Sequence, residues 1–460
     1  RLIARAHESN NSLQIAGLRV LEARAQLGIA TGLKYPQVQV LAGSASAVGA
    51  SESAANTAAG DLDFTQFDIG ATANWELDFW GRFGRGIEAA DASYLGSIAA
   101  YDQVMVLVTA QVAYNYLAIR TIEEQLRIAH DNIASQQRSY DIVNVQYENG
   151  NTSELDVLQA RTLLLSTQAT VPALESDLRK AKHALSTILG SPPGPVDEWL
   201  VGSQSIPEIP ATLAIGIPAD LLRQRADVRQ AEYTAMALNA SVGLATADLY
   251  PSFSIAGTLG LVAAGDTNTT RSGEDGIGQL FNADSLTYSV GAGFVWPFLN
   301  YGRIKNNIRV QDARLQQALT SYRETVIQAA REVEDAVVTL DGARKQDAIL
   351  QETVAVATRA NEVALLRFGE GFADYQRVLD AQQALFTQQG RFVGNRSDIV
   401  RTFISLYVAL GGGWQSRYGT ALISRDTQEA MSERTDWADL IDTTDAESAD
   451  ITPDTTPRQD

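Results

Sequence analysis

From Phe67 to Phe79 apolar and polar residues alternate without a break. Phe67, Ile69, Ala71, Ala73, Trp75, Leu77 and Phe79 hold the odd positions, and Asp68, Gly70, Thr72, Asn74, Glu76 and Asp78 the even ones. That period predicts a strand with one apolar and one strongly polar face. A second run, Tyr288, Val290, Ala292, Phe294, Trp296 and Phe298, alternates with Ser289, Gly291 and Gly293. Shorter partners read Val38, Val40, Ala42 and Phe253, Ile255, Gly257, Leu259, Leu261, with Gly- and Ser-rich loops at 43–60 and 263–285 between the members of each pair. Four strands are therefore expected, near 37–47, 67–79, 251–262 and 286–298. A sheet covered on one side would alternate in the same way. Two details favour a membrane barrel: the strands match the ~9–11 residues of an oblique crossing, and Trp75, Phe79, Trp80, Trp296 and Tyr301 sit at their ends as an aromatic girdle.

Between the strands the period changes. Ile87, Ala90, Tyr94, Ile98, Tyr101, Met105, Val108 and Val112 recur at steps of three and four, and the pattern runs on through Tyr116, Ile119, Leu126, Ile133, Tyr140, Val143 and Tyr147. Such spacing predicts a coiled-coil-like helix. No proline interrupts 81–148 or 302–370, so at ~1.5 Å per residue each helix approaches ~100 Å. Glu148-Asn149-Gly150-Asn151 and Gly369-Glu370-Gly371 read as turns, each followed by a returning helix.

The chain is written twice. One constant offset places Trp75 on Trp296, Trp80 on Tyr301, Gly81-Arg82 on Gly302-Arg303, Gly150 on Gly371 and Leu189-Gly190 on Leu410-Gly411. Upstream, a slightly smaller offset aligns Gly28 and Tyr35-Pro36 with Gly243 and Tyr250-Pro251. The difference is absorbed in the loop within each strand pair. The expected organisation is a first repeat over 1–190, a proline-rich linker over 191–220, a second repeat over 221–414, and a C-terminal segment over 415–460 with an acidic, flexible tail.

Composition narrows the function. The formal charge of −19 argues against nucleic acid, and residues 425–460 carry 11 acids against 3 Arg. With no cysteine, and only His7, His130 and His183 far apart, no metal site or cofactor is expected. No nucleophile elbow, phosphate loop or ligand cluster suggests an enzyme. No run of ~18 uninterrupted apolar residues suggests a spanning helix, and no signal peptide opens the chain, since Arg1 falls in an amphipathic helical pattern (Leu2, Ile3, Ala6, Leu13). Four membrane strands cannot close a barrel, because open edges in hydrocarbon leave unpaired N–H and C=O groups at several kcal/mol each. Several copies must share one barrel, and counting alone allows a dimer or a trimer.

Four stretches carry a family resemblance: Trp75-Glu-Leu-Asp-Phe-Trp-Gly-Arg82, Ile217-Pro-Ala-Asp-Leu-Leu222 with Arg225-Ala-Asp-Val-Arg229, Leu249-Tyr-Pro-Ser-Phe253, and Trp296-Pro-Phe298 with Gly302-Arg303. Up to about Trp414 the chain resembles the outer-membrane factor family of tripartite efflux systems, the TolC/OprM type, in its NodT-like drug-efflux branch. Ala226 departs from the family's usual proline. The resemblance implies an α+β membrane protein: long α-helical hairpins forming a periplasmic tunnel, and a twelve-stranded β-barrel shared by a homotrimer in the outer membrane of a Gram-negative bacterium. It implies a periplasmic adaptor (membrane fusion) protein and an inner-membrane pump of the RND type as partners. A protein-secretion duct of the type I kind, and a coiled-coil scaffold or adhesin, are the alternatives.

The resemblance also assigns sites. The periplasmic gate lies near the turns, with Asp380 at a family acidic position and Arg377 where some members have a second acid. Here the expectation is an Asp380 ring with Arg377 pairing to carboxylates across protomers. Ordinary solvated helix charges are the alternative. Asn149, Gly150, Asn151, Gly371 and Phe372 are the expected adaptor-docking tips. The polar strand face, Asp68, Asn74, Glu76 and Asp78, is the expected barrel lumen, with a preference for cations.

Overall fold

A computed structural model describes residues 1–51, 53, 63–194, 196–200, 205–210, 224–266, 276–417 and 420–441. Positions 217–222, half of the proline-rich linker and residues 442–460 lie outside these.

Four strands form one antiparallel sheet in the order β1-β2-β3-β4: β1 Val38–Gly49, β2 Asp63–Leu77, β3 Ser252–Asp266 and β4 Leu286–Val295. β1, β2 and β3 reach further into the connecting regions than alternation suggests. Residues 263–266, read as loop, continue β3, while Gly276–Gln279 and Ala283–Ser285 form single helical turns. Opposed residues share a face of the sheet. Ile69 opposes Leu261, Ala71 opposes Leu259, and Trp75 opposes Ile255. Phe253 opposes Phe294, and Leu259 opposes Tyr288. β2, β3 and β4 thus carry one continuous apolar face. β1 departs from expectation: Val38, Val40 and Ala42 oppose Asn74, Thr72 and Gly70, so they lie on the polar face, and Leu41 joins the apolar one opposite Ala71. Consecutive Val40 and Leu41 leave the local pattern ambiguous, and pairing with β2 decides the register.

The first helical pattern is broken at Asn10, giving α1 (Leu2–Ser9) and α2 (Asn11–Gly32). The long helices are α3 (Arg82–Glu148) and α7 (Arg303–Gly369), 67 residues each and starting at equivalent positions of the two repeats. α6 is Ala226–Ala247. The returning helices differ. α8 (Tyr375–Ala409) is continuous, whereas the first is split into α4 (Glu154–Gln168) and α5 (Thr170–Ile188). Pro172 lies just after the break and lacks the N–H that would bond Gln168, which interrupts the ladder there. Val393 holds the corresponding place in α8.

All four long segments end alike. Asn151 N donates to Gln146 O and Gly150 N to Tyr147 O; Phe372 N donates to Arg367 O and Gly371 N to Phe368 O. The same pair of bonds recurs at Gly190-Ser191 and at Gly411-Gly412. Each is a Schellman closure, with the first glycine at positive φ.

The chain divides into two units. One holds Glu22–Gly96 and Glu232–Ser321, with the sheet and the helix segments that enter and leave it. The other holds the described residues of Arg1–Leu21, Ser97–Ala231 and Tyr322–Asp460. Each draws on both halves of the sequence. In the helical unit, Val143, Ala160, Phe368, Tyr375, Val378 and Leu379 form one buried cluster across α3, α4, α7 and α8. A second cluster, Ala6, Val108, Val112, Ile119, Leu185 and Leu189, ties α1 to α3 and α5. Polar pairs join α3 to α8: Tyr114–Ser405, Thr121–Ser397, Asn132–Gln389 and Ser139–Gln382, at 2.8, 3.0, 2.7 and 2.7 Å. Polar side chains at seam positions specify register at some cost in stability. α3 is apolar enough over one 18-residue stretch to cross a bilayer by composition, but half of that stretch is buried in the protein.

Residues 425–434, read from the sequence as tail, form α9 (Arg425–Arg434), capped by Ser424. Met431 packs there with Leu21 and Ile423. A short apolar anchor inside an acidic segment is enough to dock one helix.

Candidate functional site

The polar face of the sheet places Asp68, Asn74 and Glu76 in line along β2. Ser44 Oγ donates to Asp68 Oδ1 at 2.6 Å, and Thr258 and Ser289 hydroxyls bond across β3 and β4 at 2.8 Å. These bonds satisfy polar groups side to side on a face that also carries Val38, Val40 and Ala42 from β1. Asp78 is a different case. It lies beyond the end of β2, and its carboxylate accepts from Phe83 N and Gly84 N at 3.0 and 2.8 Å. It holds the N-terminus of α3, where a negative charge is stabilised by the helix dipole, and so belongs to the helix rather than to the strand face. The alternation read from the sequence thus runs one residue past the end of β2 at this position.

At the foot of the sheet a cavity of about 290 Å³ gathers Glu76, Asp78, Trp80, Arg82, Asp248 and Arg303. Arg82 Nη1 lies 3.2 Å from Glu76 Oε1, and its Nε lies 3.5 Å from Asp248 Oδ1. The aromatics at the strand ends lie near this foot too, and the tryptophans have specific tasks. Trp75 Nε1 donates to Lys34 O and Trp296 Nε1 to Leu249 O, both at 3.1 Å. Each pins the turn that enters a hairpin to the strand that leaves it. Trp80 stacks on Tyr250 at 4.6 Å between centroids and donates to Pro251 O at 2.8 Å. Phe79 meets Phe253 edge-on at 5.2 Å. Tyr301 is 97% exposed.

At the helical tips, Asn149 Nδ2 closes onto Val145 O at 2.8 Å, and Asn151 takes part in the Schellman bond. Gly150 and Gly371 have φ of 76° and 77°. Phe372, an apolar ring on a polar turn, is 79% exposed. α4 starts with a capping box in which Ser153 and Asp156 bond each other's backbone N–H. Burial opposes ionisation of Asp156, but bonds from the Thr152 and Ser153 hydroxyls prevail and hold its carboxyl below the usual range. Burial, with Asp156 nearby, pushes the Tyr375 phenol up to about 12.

Asp380 and Arg377 lie on the exposed side of α8, opposite the buried Tyr375, Val378 and Leu379. Within one chain they do not meet. Asp380 Oδ1 accepts from Gln376 Nε2 at 2.9 Å, and Arg377 lies 3.9 Å from Asp374. Among the described residues no group of His, Asp or Glu is arranged to hold a metal.

Arg225 and Arg229 brace the helical unit, a role the spacing of their motif did not reveal. Arg225 donates to Ala409 O at 2.8 Å and pairs with Asp227 and Glu332 at 2.7 and 2.8 Å. Arg229 pairs with the fully buried Asp102 at 2.7 Å and stacks on Trp414 at 4.3 Å. Arg417 reaches the same carboxylate at 2.8 Å. Ala226, where the family pattern has proline, is the first residue of α6, a position that accepts either.

A family model described as outer membrane efflux protein matches residues 2–191 and 217–412. The cation efflux system protein CusC of Escherichia coli O6:H1 is 31% identical over 415 residues, covering 90% of this chain and 86% of that protein. SilC of Salmonella typhimurium, described as a probable outer membrane lipoprotein, is 30% identical over 417 residues, with the same coverage. The solved structure of the outer-membrane channel OprN matches with a TM-score of 0.83 at 29% identity, over 90% of each chain. The fold is that of TolC-like outer-membrane channels, a family of transport channels rather than enzymes that work with adaptor and inner-membrane pump partners. The protein is an outer-membrane duct of an efflux system in a Gram-negative bacterium. By sequence and by fold, the chain belongs to the outer membrane efflux protein family.

Proposed function

We propose that three copies of the chain close a shared twelve-stranded barrel and a periplasmic tunnel, forming the passive exit duct of an RND-type tripartite system. The observation that carries this is the sheet itself. Its order leaves β1 and β4 as edges, and its apolar face is exposed at Leu259, Tyr288, Val290 and Phe294. An open edge is untenable in hydrocarbon, and an exposed apolar face is costly in water. Both are resolved when β4 of one copy pairs with β1 of the next in a lipid-facing barrel.

In this reading Asp68, Asn74 and Glu76 line the lumen, and their carboxylates favour cations. Phe372 and the turns at 149–151 and Gly371 face the adaptor. Asp380 and Arg377, which within the described chain reach only Gln376 and Asp374, form the gate. Three Asp380 carboxylates near one axis repel, and Arg377 of a neighbouring copy offsets that repulsion and favours closure.

Planar-bilayer conductance, recorded alongside the detergent-corrected mass, tests the reading. Discrete cation-preferring channels from a trimer are expected; a non-conducting, water-soluble rod would move a coiled-coil scaffold to first place. Asp380→Ala is expected to raise conductance over wild type, and an unchanged value removes the gating role while leaving the duct.

A further inference from the structure

The foot of the sheet is pinned by two kinds of aromatic clamp, and one chain completes them unequally. The first kind lies within a hairpin and occurs twice: Trp75 to Lys34 O and Trp296 to Leu249 O. These pairs occupy equivalent positions of the two repeats. The second kind lies between hairpins, joining the end of β2 to the start of β3: Trp80 stacks on Tyr250 and donates to Pro251 O. Among the described residues it occurs once.

The repeat supplies the halves of its missing counterpart. Trp80 corresponds to Tyr301, and Tyr250-Pro251 correspond to Tyr35-Pro36. Tyr301 follows β4 and Tyr35 precedes β1, which are opposite edges of the sheet. Both rings are bare, Tyr301 at 97% and Tyr35 at 63% exposure, against 46% for Trp80. Tyr301 also has a φ of 49°, whereas Trp80 stays out of that region. For a residue with a Cβ this conformation is strained. The backbone thus departs from its repeat-mate where the stacking partner is missing.

We infer that Tyr301 of one copy stacks on Tyr35 of the next, its hydroxyl donating to the Pro36 carbonyl, so that each boundary between copies carries the clamp that Trp80 makes inside the chain. The inference rests on the shared-barrel reading and assigns residues to its boundary. Ring closure follows from counting: two hairpins per chain in a closed ring need two clamps between hairpins per chain, and one chain can make only one alone. The ionic part of the junction is not repeated, since Pro297 and Leu33 stand where Glu76 and Asp248 bind Arg82. The boundary therefore relies on the aromatic pair.

The chain has no cysteine, so an introduced pair is read without background. In Tyr35→Cys/Tyr301→Cys, a short bis-maleimide is expected to give a covalent ladder of dimer and trimer on denaturing gels, while either single variant stays monomeric. A protein of trimer mass that yields no ladder overturns the clamp and leaves the trimer standing. A monomeric wild-type mass overturns the shared barrel, and the clamp with it. A second measurement does not depend on the cysteines. Tyr301→Ala is expected to speed detergent-induced subunit dissociation about two- to tenfold, the range for one aromatic pair, whereas Tyr301→Trp, which restores the residue of the first repeat, keeps the wild-type rate. Equal rates for all three overturn the inference.

Discussion

Asp102→Ala lowers the stability of the helical unit by about 3–5 kcal/mol, the loss expected when one partner of a buried ion pair is removed. Asp102, on α3, is 0% exposed, and its two partners are nearly as deep, with Arg229 and Arg417 side chains at 12% and 3%. Removing the carboxylate leaves two guanidinium groups in an interior where an uncompensated charge is costly. Arg229 retains its stack on Trp414, worth about 0.5–2 kcal/mol, too little to offset the loss. Burial and the charge of Asp102 also push the neighbouring Tyr101 phenol up to about 12. The check is the midpoint of helix loss by circular dichroism, with Glu88→Ala as control. Glu88 pairs with Arg85 in the open, both side chains being 49% exposed, and such pairs contribute about 0–1 kcal/mol. If Asp102→Ala and Glu88→Ala shift the midpoint equally, the triad is solvated and braces nothing.

This network shows where sequence reasoning stops. Arg225-Ala-Asp-Val-Arg229 is recognisable as a signature, yet the partners that give it a task, Asp102, Glu332, Trp414 and Arg417, lie far away along the chain. Nothing local points to them. Features with a local cause were legible: the alternation of β2, the long uninterrupted helices, and the glycines that close them. Where two local signals compete, the sequence misleads. Val40 and Leu41 are both apolar, so the face of β1 was decided by its partner strand. Asp78 continues the alternation of β2 but is taken by the N-terminus of α3. α9 was hidden by its acids, because Met431 alone is a thin hydrophobic signal. At the proposed gate, the turns could be placed from the sequence, while within one chain Asp380 and Arg377 reach only Gln376 and Asp374.

Gly190→Ala is the second substitution with a large expected effect, and its comparison with the tip glycines separates two reasons for a glycine. Gly150 and Gly190 both close helices at positive φ, 76° and 69°. A Cβ on Gly150 meets nothing within 4 Å, whereas on Gly190 it falls 2.0 Å from Ser9 O. The approach is close because the α1–α2 junction caps α5: Ser9 Oγ donates to Leu189 O and Asn10 Nδ2 to Ile188 O, both at 2.8 Å. The second repeat builds the same joint from other atoms. Arg225, the repeat-mate of Asn10, donates to the carbonyl of Ala409, the repeat-mate of Ile188. There a Cβ on Gly411 would meet Arg225 Cγ at 2.9 Å and its Cα at 3.1 Å, a softer collision. Alanine at Gly150 is expected to cost only the left-handed strain, about 1–2 kcal/mol. At Gly190 a backbone clash is added, worth a further ~1–3 kcal/mol, and Gly411 falls between. Thermal midpoints of the three variants should rank in that order. A Gly150→Ala as damaging as Gly190→Ala would mean that the tip glycine is held by contacts beyond its own turn, and would shift weight toward a packed role for the tips even before the adaptor arrives.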